Sequence, residues 1–370
     1  MRSLGGQLDL GTVTTPSLVL ERARLVANAH AMRRRAAELG VALRPHLKTV
    51  KSEAIAQIAT TGAGGTVSTL REAAYFAEHG LTDLVLAVCV TADRLDRCAE
   101  LVERGTRLTV ITDDVEVARA IAAHPVMIPA LVEVDSGGAR TGVRPDDPEL
   151  IEVAEGLGDR LRGVLTHAGH SYEAAGAEAI ARIAEDERRA VVGAAERLRS
   201  AGLRCDVVSL GSTPTAVHAA SAAGATEMRP GVYLLMDLFQ AAIGCCRLDD
   251  IAISVLSTVI SRRGDRALID AGALALSKDR STAHSPVDSG YGLVCDLDGA
   301  PLVGSGRPVI VSDVHQEHGF VDDAPRGLRV GDRVRVLPNH ACMTAAAYDG
   351  YHVVDGSLAT VDRYGRCNGW

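Results

Sequence analysis

Aromatic side chains are scarce in this sequence, where Phe, Trp and Tyr make up 3% of the 370 residues. Apolar residues total 47%, so the core must be filled mainly by Ala, Val and Leu. Small branched side chains suit helices packed on parallel strands. The scarcity argues against an aromatic-rich β-sandwich, and the length favours one large domain with a smaller one.

Long runs of apolar residues and long runs of basic residues are also missing. No apolar stretch approaches the ~20 residues that span a bilayer, and residues 1–15 lack the apolar core of a signal peptide. Lys and Arg total 39 against 47 Asp and Glu, with no long basic run. We therefore expect a cytoplasmic protein without a membrane or nucleic-acid partner.

The cysteines form no C-x-x-C pair. Eight of them occur, at positions 89, 98, 205, 245, 246, 295, 342 and 367. In a reducing cytoplasm most should be free and buried. Cys342 is the exception, because it belongs to a candidate metal site.

Short β-rich runs alternate with helical stretches from Pro16 to about Asp237. The predicted strands are Ser17–Leu20, Val41–Pro45, Thr66–Ser68, Leu84–Val90, Leu108–Ile111, Ala130–Val134, Gly163–Thr166, Val207–Leu210 and Gly231–Met236. The predicted helices are Arg22–Leu39 before Gly40, Asp114–Ala123 after a Thr112-Asp113 cap, and Ala179–Ala201. This alternation predicts a parallel sheet, and its length suits a (β/α)8 TIM-type barrel.

The pattern changes after Cys245-Cys246, where long helical periodicity ends. The predicted strands here are Ile251–Ser261, Arg266–Asp270, Pro308–Val314 and Arg333–Leu337, separated by Gly, Pro and Asp turns. We therefore predict a barrel over residues 16–243 and a β-rich C-terminal domain over 244–370.

Unusual polar residues cluster at the ends of the predicted barrel strands, which form the active-site face of such a barrel. Lys48 follows the second strand, where a partly desolvated amine can form a Schiff base. The other clusters are 133–140, 166–172, 210–215 and 227–233. Gly, Ser and Thr at a helix start can bind phosphate. Taken singly, Lys48 also fits a surface lysine at a helix start, and each cluster also fits an ordinary turn.

The β-rich domain carries its own candidate site in Pro338-Asn339-His340-Ala341-Cys342. In an extended segment, residues two apart point the same way, so His340 and Cys342 can offer an imidazole and a thiolate to one zinc ion. Two protein ligands leave room for water or substrate. The alternative is a packing role for Cys342 and a turn role for His340.

Seven motifs together resemble the fold-type III pyridoxal-phosphate (PLP) enzymes, specifically the D-serine dehydratase-like and D-threonine aldolase-like family. They are PHLKTVK at 45–51, EVDSGGARTG at 133–142, HAGHSY at 167–172, GSTPT at 211–215, RPGVY at 229–233, EHG at 317–319 and PNHAC at 338–342. The resemblance implies an alanine racemase-like fold, with residues 1–15 joining the β-domain. It also implies a homodimer whose active sites are each completed by the neighbour's β-domain.

The resemblance also implies roles for individual residues. The implied cofactor-binding residues are Lys48, Arg140, His167, Tyr172, Gly211, Ser212, Thr213, Gly231 and Tyr233. Lys48 holds PLP as a Schiff base, Arg140 lies near the pyridine ring, and Tyr172 approaches the ring nitrogen. Ser212, Thr213, Gly231 and Tyr233 surround the phosphate. A phenol at the ring nitrogen makes PLP a weaker electron sink than a carboxylate would, and a metal compensates.

The dehydratases and aldolases of this family differ locally. Aldolases carry an H-x-D metal pair, and a catalytic histidine six residues after a tyrosine. Here the pair is His340-x-Cys342, His167 stands in place of the tyrosine, and Glu173 in place of that histidine. Both features resemble the zinc-using dehydratases, although Met343 replaces the expected proline.

The implied activity is therefore that of a zinc- and PLP-dependent dehydratase (ammonia-lyase) of a D-β-hydroxy amino acid. D-serine is the first-choice substrate, and the products are a 2-oxo acid and ammonia. The alternatives are a D-threonine aldolase-like cleavage to glycine and an aldehyde, an amino-acid racemase, and a non-catalytic PLP carrier. The β-domain argues against a carrier, since those proteins are generally barrel-only.

Overall fold

The computed structural model describes residues 9–60, 64–174 and 176–370, which divide into two compact units. The barrel unit contains residues 30–231 and Gly369–Trp370. The sheet unit contains the described residues up to Ala29 and Val232–Asn368. By these contacts, residues 16–29 and 232–243 belong with the sheet unit, whereas the sequence-based domain limits place them with the barrel.

The first named elements of the described residues are strand β1 (Ser17–Glu21) and helix α1 (Arg22–Glu38). The helix ends one residue before the predicted limit. Gly40 follows with a φ of +71°, a left-handed conformation that glycine adopts without strain. The prediction of a helix stopped at this glycine is therefore confirmed.

The barrel unit contains one parallel sheet. Its strands are β2 (Ala42–Leu43), β3 (Gly65–Val67), β4 (Asp83–Cys89), β5 (Arg107–Thr112), β6 (Ala130–Val134), β7 (Leu161–Thr166), β8 (Val207–Leu210) and β9 (Glu227–Met228). Among the described residues the order is β2-β9-β8-β7-β6-β5-β4-β3. A parallel bridge between His46 and Thr66 joins β3 to the segment after β2, so the pairing returns to its start and forms a TIM-type barrel.

Helices connect these strands, as parallel pairing requires. They are α2 (Glu53–Ala59), α3 (Leu70–Glu78), α4 (Leu95–Glu103), α5 (Val115–Ala123), α6 (Glu149–Leu157), α7 (Ala177–Ser200) and α8 (Thr213–His218). Single 3-10 turns occur at Ala92–Arg94, Gly158–Arg160 and Gly169–Glu173. The α5 cap is Asp114, whose carboxylate accepts from the Val117 amide, rather than the predicted Thr112-Asp113.

The interior of the barrel is apolar at mid-height. Val85, Ile111, Leu131 and Leu165, from four adjacent strands, form one buried cluster. All five residues of β6 are buried, and all but Glu133 are apolar, as is typical of a strand covered on both faces. None of the helices in the described part of the chain is both long and apolar enough to cross a membrane.

The sheet unit continues with further elements. Its strands are β10 (Ile253–Arg263), β11 (Arg266–Ile269), β12 (Leu293–Cys295), β13 (Val311–Val314), β14 (Gly319–Val321), β15 (Arg333–Leu337), β16 (Gly350–Val354) and β17 (Thr360–Gly365). Its short helices are α9 (Leu238–Ala242), α10 (Ala273–Leu276) and α11 (Ala341–Ala345), with 3-10 turns at Val232–Leu234, Leu248–Asp250 and Ser281–His284. The described strands run β13-β14-β11-β10-β1-β16-β17, and β15 joins β12 to β10.

Residues near the N-terminus belong to this sheet unit. Asp9 forms a bridge with Ala359, and Leu10 and Val13 lie in a buried cluster with Leu256. Residues 9–15 therefore lie where the prediction for 1–15 placed them, while residues 1–8 of that prediction lie outside the described residues.

One predicted strand belongs to a different sheet, and one predicted strand is wrong. Ser17–Leu20 forms a strand, but β1 pairs antiparallel with β10 and parallel with β16, so it belongs to the second sheet rather than the barrel. Gly231–Met236 is not a strand, because Val232–Leu234 forms a 3-10 turn and the ninth strand lies earlier, at Glu227–Met228. Both segments are apolar runs, whose composition does not specify their pairing partner.

We expect Glu21→Ala to lower the free energy of unfolding by about 3 kcal/mol. Glu21 Oε1 lies 2.6 Å from Arg335 Nη1, and the Arg335 side chain is 4% exposed. The replacement would therefore leave the buried guanidinium charge of Arg335 without its carboxylate partner. The matched control is Asp355→Ala in the half-exposed pair with Arg22, which should cost under about 1 kcal/mol. Denaturant titrations of both variants measure this, and equal losses would contradict it.

Candidate active site

Five loops of the barrel unit start at the same edge of its sheet, because the strands are parallel. They follow β2, β6, β7, β8 and β9. The predicted residues that they carry are Lys48, Arg140, His167, Tyr172, Gly211, Ser212, Thr213 and Gly231. Of the predicted cofactor-binding residues, Tyr233 alone lies in the sheet unit, in a 3-10 turn where its side chain is fully buried.

Lys48 lies close to two imidazoles at this edge. Burial and the positive charges of Lys48 and Arg140 lower the pKa of His167 to about 3. Burial and the charge of Lys48 also hold the pKa of His46 well below its usual value. Both rings are therefore neutral at physiological pH, so they can act as hydrogen-bonding groups beside the lysine without competing with it as cations.

The two lysines of the 45–51 motif have different surroundings. Lys51 has a φ of +44°, and its Nζ lies 3.1 Å from Oε1 of the buried Glu72. Lys48 is exposed in the turn after β2, and forms no ion pair with any residue that the structure describes. The Lys51 amine is therefore held in an ion pair with Glu72, whereas the Lys48 amine lies exposed at the carboxyl edge of the barrel sheet.

The start of α8 is a buried, hydroxyl-rich turn. Ser212 caps the helix by accepting from the Thr215 amide, while its own amide donates to the Thr215 hydroxyl at 2.9 Å. Ser212 Oγ also lies 2.9 Å from Ser171 Oγ in the loop after β7. Ser212 and Thr213 are at most 2% exposed. The turn therefore joins two neighbouring loops through hydroxyl groups.

Gly231 is required by a close backbone approach. A Cβ atom at this position would lie 2.7 Å from the His46 carbonyl oxygen, so a side chain would push away the segment that leads to Lys48. Gly211, in turn, has a φ of +104°, which a side chain would strain. Gly211 thus lies against the end of β9, and Gly231, which follows β9, lies against the segment that leads to Lys48.

These residues fit PLP. The turn at Ser212 presents the hydroxyls of Ser212, Thr213 and Thr215, which are suited to a phosphate, the missing side chain of Gly231 leaves room beside the His46 segment, and Lys48 offers an amine for an aldehyde. Tyr172 is half-buried with its ring 6.5 Å from that of His167, and Arg140 is exposed in the loop after β6. The donor set is of the kind that a phosphorylated aldehyde needs.

A cavity of about 310 Å³ opens between the loops after β6 and β7. Its polar lining residues are Glu133, Asp135, Arg140, Thr141, His167, His170 and Glu173. A larger cavity of about 570 Å³ lies at the opposite end of the strands, beside Asp83 and Arg107. Because barrel chemistry takes place at the carboxyl ends of the strands, the smaller cavity is the candidate substrate space.

The predicted metal residues lie together in the sheet unit. His340 precedes α11 and Cys342 lies in its first turn. His340 Nδ1 is 2.8 Å from Asp279 Oδ2. Burial lowers the pKa of His340, but hydrogen bonds with Asp279 and Cys342 outweigh it and raise that pKa to about 10. A carboxylate on one ring nitrogen and a thiol near the ring form a donor set suited to a zinc-type ion, which would bind in place of the second imidazole proton.

The local conformation of this pair differs from the prediction. His340 is extended at φ −135°, but Cys342 is helical, so an extended H-x-C segment is wrong. The two side chains still interact, because the chain turns into α11 directly after His340. Asp279, which sequence reasoning missed, comes from a loop 61 residues earlier.

Sequence reasoning also missed three groups inside the barrel unit. Buried Arg229 donates to Ser209 Oγ and to the Thr166 carbonyl. Buried Glu187 contacts two strand-end loops. Cys89 Sγ lies 3.0 Å from a Glu133 oxygen, and burial together with that carboxylate raises its pKa, which keeps it a thiol. Arg229 and Glu133 each belong to one of the seven family motifs, whereas Glu187 and Cys89 had no local signal.

The cysteine prediction is confirmed. All eight cysteines are free, and those at 98, 205, 245, 295 and 367 are buried. Cys89, Cys246 and Cys342 are partly exposed.

Two family models match the chain. The model of the alanine racemase N-terminal domain matches residues 20–238, and that of a serine dehydratase domain matches residues 252–354. The chain therefore belongs to the fold-type III PLP-enzyme family, in the group that carries a serine dehydratase domain. The predicted alanine racemase-like fold and the recognised family are confirmed.

Among its relatives, the D-threo-3-hydroxyaspartate dehydratase of Delftia sp. (strain HT23) is 43% identical, over 98% of this chain and 100% of that protein. Its solved structure superposes with a TM-score of 0.93 at 42% identity, again over 98% and 100%. The D-serine dehydratase of Dictyostelium discoideum is 28% identical over 96% and 97% of the chains. The D-threonine aldolase of Filomicrobium marinum has a TM-score of 0.81 at 25% identity, over 99% and 98%.

Proposed function

We propose that this protein is a PLP- and zinc-dependent dehydratase of D-β-hydroxy amino acids, which releases a 2-oxo acid and ammonia. The observation that carries the proposal is the contact between His340 and Cys342, in a unit matched by the serine dehydratase domain. Thiolate favours zinc over magnesium, whereas the carboxylate of an H-x-D pair suits magnesium or manganese. The 43% identity to a named dehydratase supports the same reaction.

The barrel residues are proposed to bind the cofactor and move the substrate proton. When bound, PLP supplies an electron sink that makes the substrate's α-hydrogen acidic. Lys48 would hold the cofactor through its amine and, once the substrate amine has displaced it, the freed amine would accept the α-proton as general base. Neutral His167 lies beside this lysine, so it does not repel the protonated amine at the moment of transfer.

The remaining barrel-edge residues are proposed to orient the cofactor. Gly211, Ser212, Thr213, Gly231 and Tyr233 are assigned to its phosphate. Tyr172 is assigned to the ring nitrogen, and Arg140 to the pyridine ring. The support is the family membership, together with the cradle at Gly231 and the hydroxyl-rich turn at Ser212.

His340 and Cys342 are proposed as the zinc ligands. Zinc supplies Lewis acidity toward the leaving β-hydroxyl. Asp279 orients His340 through its Nδ1, which leaves Nε2 to face an ion. A solved D-threo-3-hydroxyaspartate dehydratase, 41% identical, is described as a cysteine-to-alanine variant in a metal-free form, which supports a cysteine-dependent metal site.

The protein is further proposed to be a homodimer, in which His340 and Cys342 of one subunit complete the site around Lys48 of the other. The support is the family resemblance, together with the placement of the metal pair and the lysine in different units.

Product analysis tests the reaction class. With zinc present, D-serine and D-threo-3-hydroxyaspartate should each yield a 2-oxo acid and ammonia, and the L-isomers should react at least about 100-fold more slowly, because Lys48 can reach the α-proton from one face only. Chromatography of the products, with D-threonine as a third substrate, measures this. Glycine plus an aldehyde would instead identify an aldolase, and the enantiomer of the substrate would identify a racemase.

A further inference from the structure

A buried carboxylate links two loops at the edge of the barrel. Glu187 lies in the middle of α7, and its side chain is 1% exposed. Its Oε1 accepts a hydrogen bond from the Ala168 amide at 2.8 Å and another from the Gly211 amide at 3.1 Å. One oxygen atom therefore holds two backbone groups that are 43 residues apart in the sequence.

The two amides that donate to Glu187 each lie just after the end of a barrel strand. Gly211 directly follows β8, and Ala168 comes two residues after the end of β7. His167 precedes one donor and Ser212 follows the other. The hydroxyl contact between Ser171 and Ser212, at 2.9 Å, joins the same two loops a few residues further on. The spacing between the loops is thus set at two points.

Such amides need an acceptor. Strands end at these positions, so the ladder no longer provides a carbonyl, and a buried amide without a partner is costly. A carboxylate is a stronger acceptor than a neutral carbonyl. Because α7 packs against both β7 and β8, a side chain from this helix can reach the loops that follow both strands.

We infer that Glu187 is a positioning residue for the cofactor site, holding the loops after β7 and β8 at the spacing that the bound cofactor requires. The inference rests on the proposed function in one respect, that these loops bind PLP. Glu187 holds these loops through the backbone amides of Ala168 and Gly211, and its carboxyl group also forms a hydrogen bond with the Thr215 side chain at the start of α8.

Three variants of the holoenzyme test this. Glu187→Ala removes the acceptor and should weaken PLP binding by about tenfold or more. Glu187→Gln keeps an acceptor oxygen in the same place and should stay within about threefold of wild type. The matched control is Val191→Ala, since Val191 is fully buried one turn further along α7 but is apolar. It should lower stability and leave PLP affinity within about threefold.

PLP affinity is read from the visible absorbance during dilution, and the steady-state constants for D-serine are measured with PLP in excess. At saturating PLP, kcat of Glu187→Ala should fall by about tenfold, while KM changes less than threefold. A variant that loses stability but keeps wild-type PLP affinity and kcat would overturn the inference. So would a Glu187→Gln variant as impaired as Glu187→Ala.

Amide hydrogen exchange separates this inference from the proposed function. In Glu187→Ala the amides of Ala168 and Gly211 should exchange about tenfold faster or more, and in Val191→Ala their protection relative to neighbouring strand amides should be unchanged. Unchanged exchange of both amides in Glu187→Ala would refute the link itself. If the wild-type protein bound no PLP, the proposed function would be refuted. The exchange rates of the Ala168 and Gly211 amides would still show whether Glu187 holds the two loops.

Discussion

Replacing Lys48 with alanine is expected to abolish the visible absorbance of bound PLP and to lower turnover by about 10⁴-fold or more, the upper end of what a positioned general base contributes. The side chain is exposed at the carboxyl edge of the barrel, next to two neutral imidazoles. Its loss removes both the amine that holds the cofactor and the base that takes the α-proton. Absorbance spectra and assays with D-serine measure the two effects.

The chain offers direct controls, because it contains three lysines in all: Lys48, Lys51 and Lys278. Lys278→Ala should leave spectrum and turnover unchanged. Lys51→Ala should keep the absorbance but lower stability, since the buried carboxylate of Glu72 would lose its ion pair. Borohydride reduction followed by peptide mapping should place the label on Lys48. A label on Lys51, or a Lys48→Ala variant that keeps its spectrum, would overturn the assignment.

Removal of the metal should have the second large effect. Chelation, or a His340→Ala Cys342→Ala double replacement, is expected to slow dehydration of D-serine by about 10³-fold, which corresponds to roughly 4 kcal/mol of lost transition-state stabilisation. The PLP absorbance should remain, because Lys48, Gly211, Ser212, Thr213 and Gly231 lie in the barrel unit and none of them belongs to the metal pair. Metal analysis, assays and spectra before and after zinc add-back provide the measurement.

Two further variants sharpen this experiment. Asp279→Asn should weaken metal binding by about 10- to 100-fold, because His340 loses the carboxylate that orients its ring. Cys246→Ala is the control, since that cysteine is also partly exposed in the sheet unit. Full activity of a metal-free sample, or equal metal loss in Cys246→Ala, would refute the proposed zinc site.

Mixing two inactive variants tests whether the sites are shared between subunits. If Lys48 of one subunit works with His340 of the other, hybrids of Lys48→Ala and His340→Ala chains contain one intact site, and random exchange restores about one quarter of wild-type activity. If both residues act within one chain, every site in the hybrid is damaged. No recovery after complete subunit exchange would therefore contradict shared sites.

Local sequence patterns predicted the regular elements of the barrel well. Ala130–Val134 and Val207–Leu210 have the predicted limits, because short, mostly apolar runs between polar turns form largely buried strands. The same reasoning misplaced β1, which resembles a barrel strand in composition but pairs with β10. Apolar composition shows that a segment will be buried, and it does not show which sheet will bury it.

The candidate site residues also fall into two groups, those that the sequence could locate and those that it could not. Lys48, His167, Ser212 and Gly231 could be located because parallel strands bring their carboxyl ends to one edge. Glu187 and Asp279 could not, since Glu187 reaches the barrel-edge loops, and Asp279 reaches His340 in the sheet unit, from parts of the chain without any recognisable motif. Their roles depend on where a helix or loop packs, which no local pattern encodes.

For this protein the sequence by itself determined the strand–helix alternation, the family, the lysine at a strand end and the His340–Cys342 pair. These follow from residue type and spacing, which act over a few positions along the chain. Only the tertiary structure decided that β1 joins the second sheet, that Cys342 begins a helix, and that Glu187 holds two loops. The physical reason is that such contacts join residues far apart in sequence, and their formation depends on the packing of the whole unit.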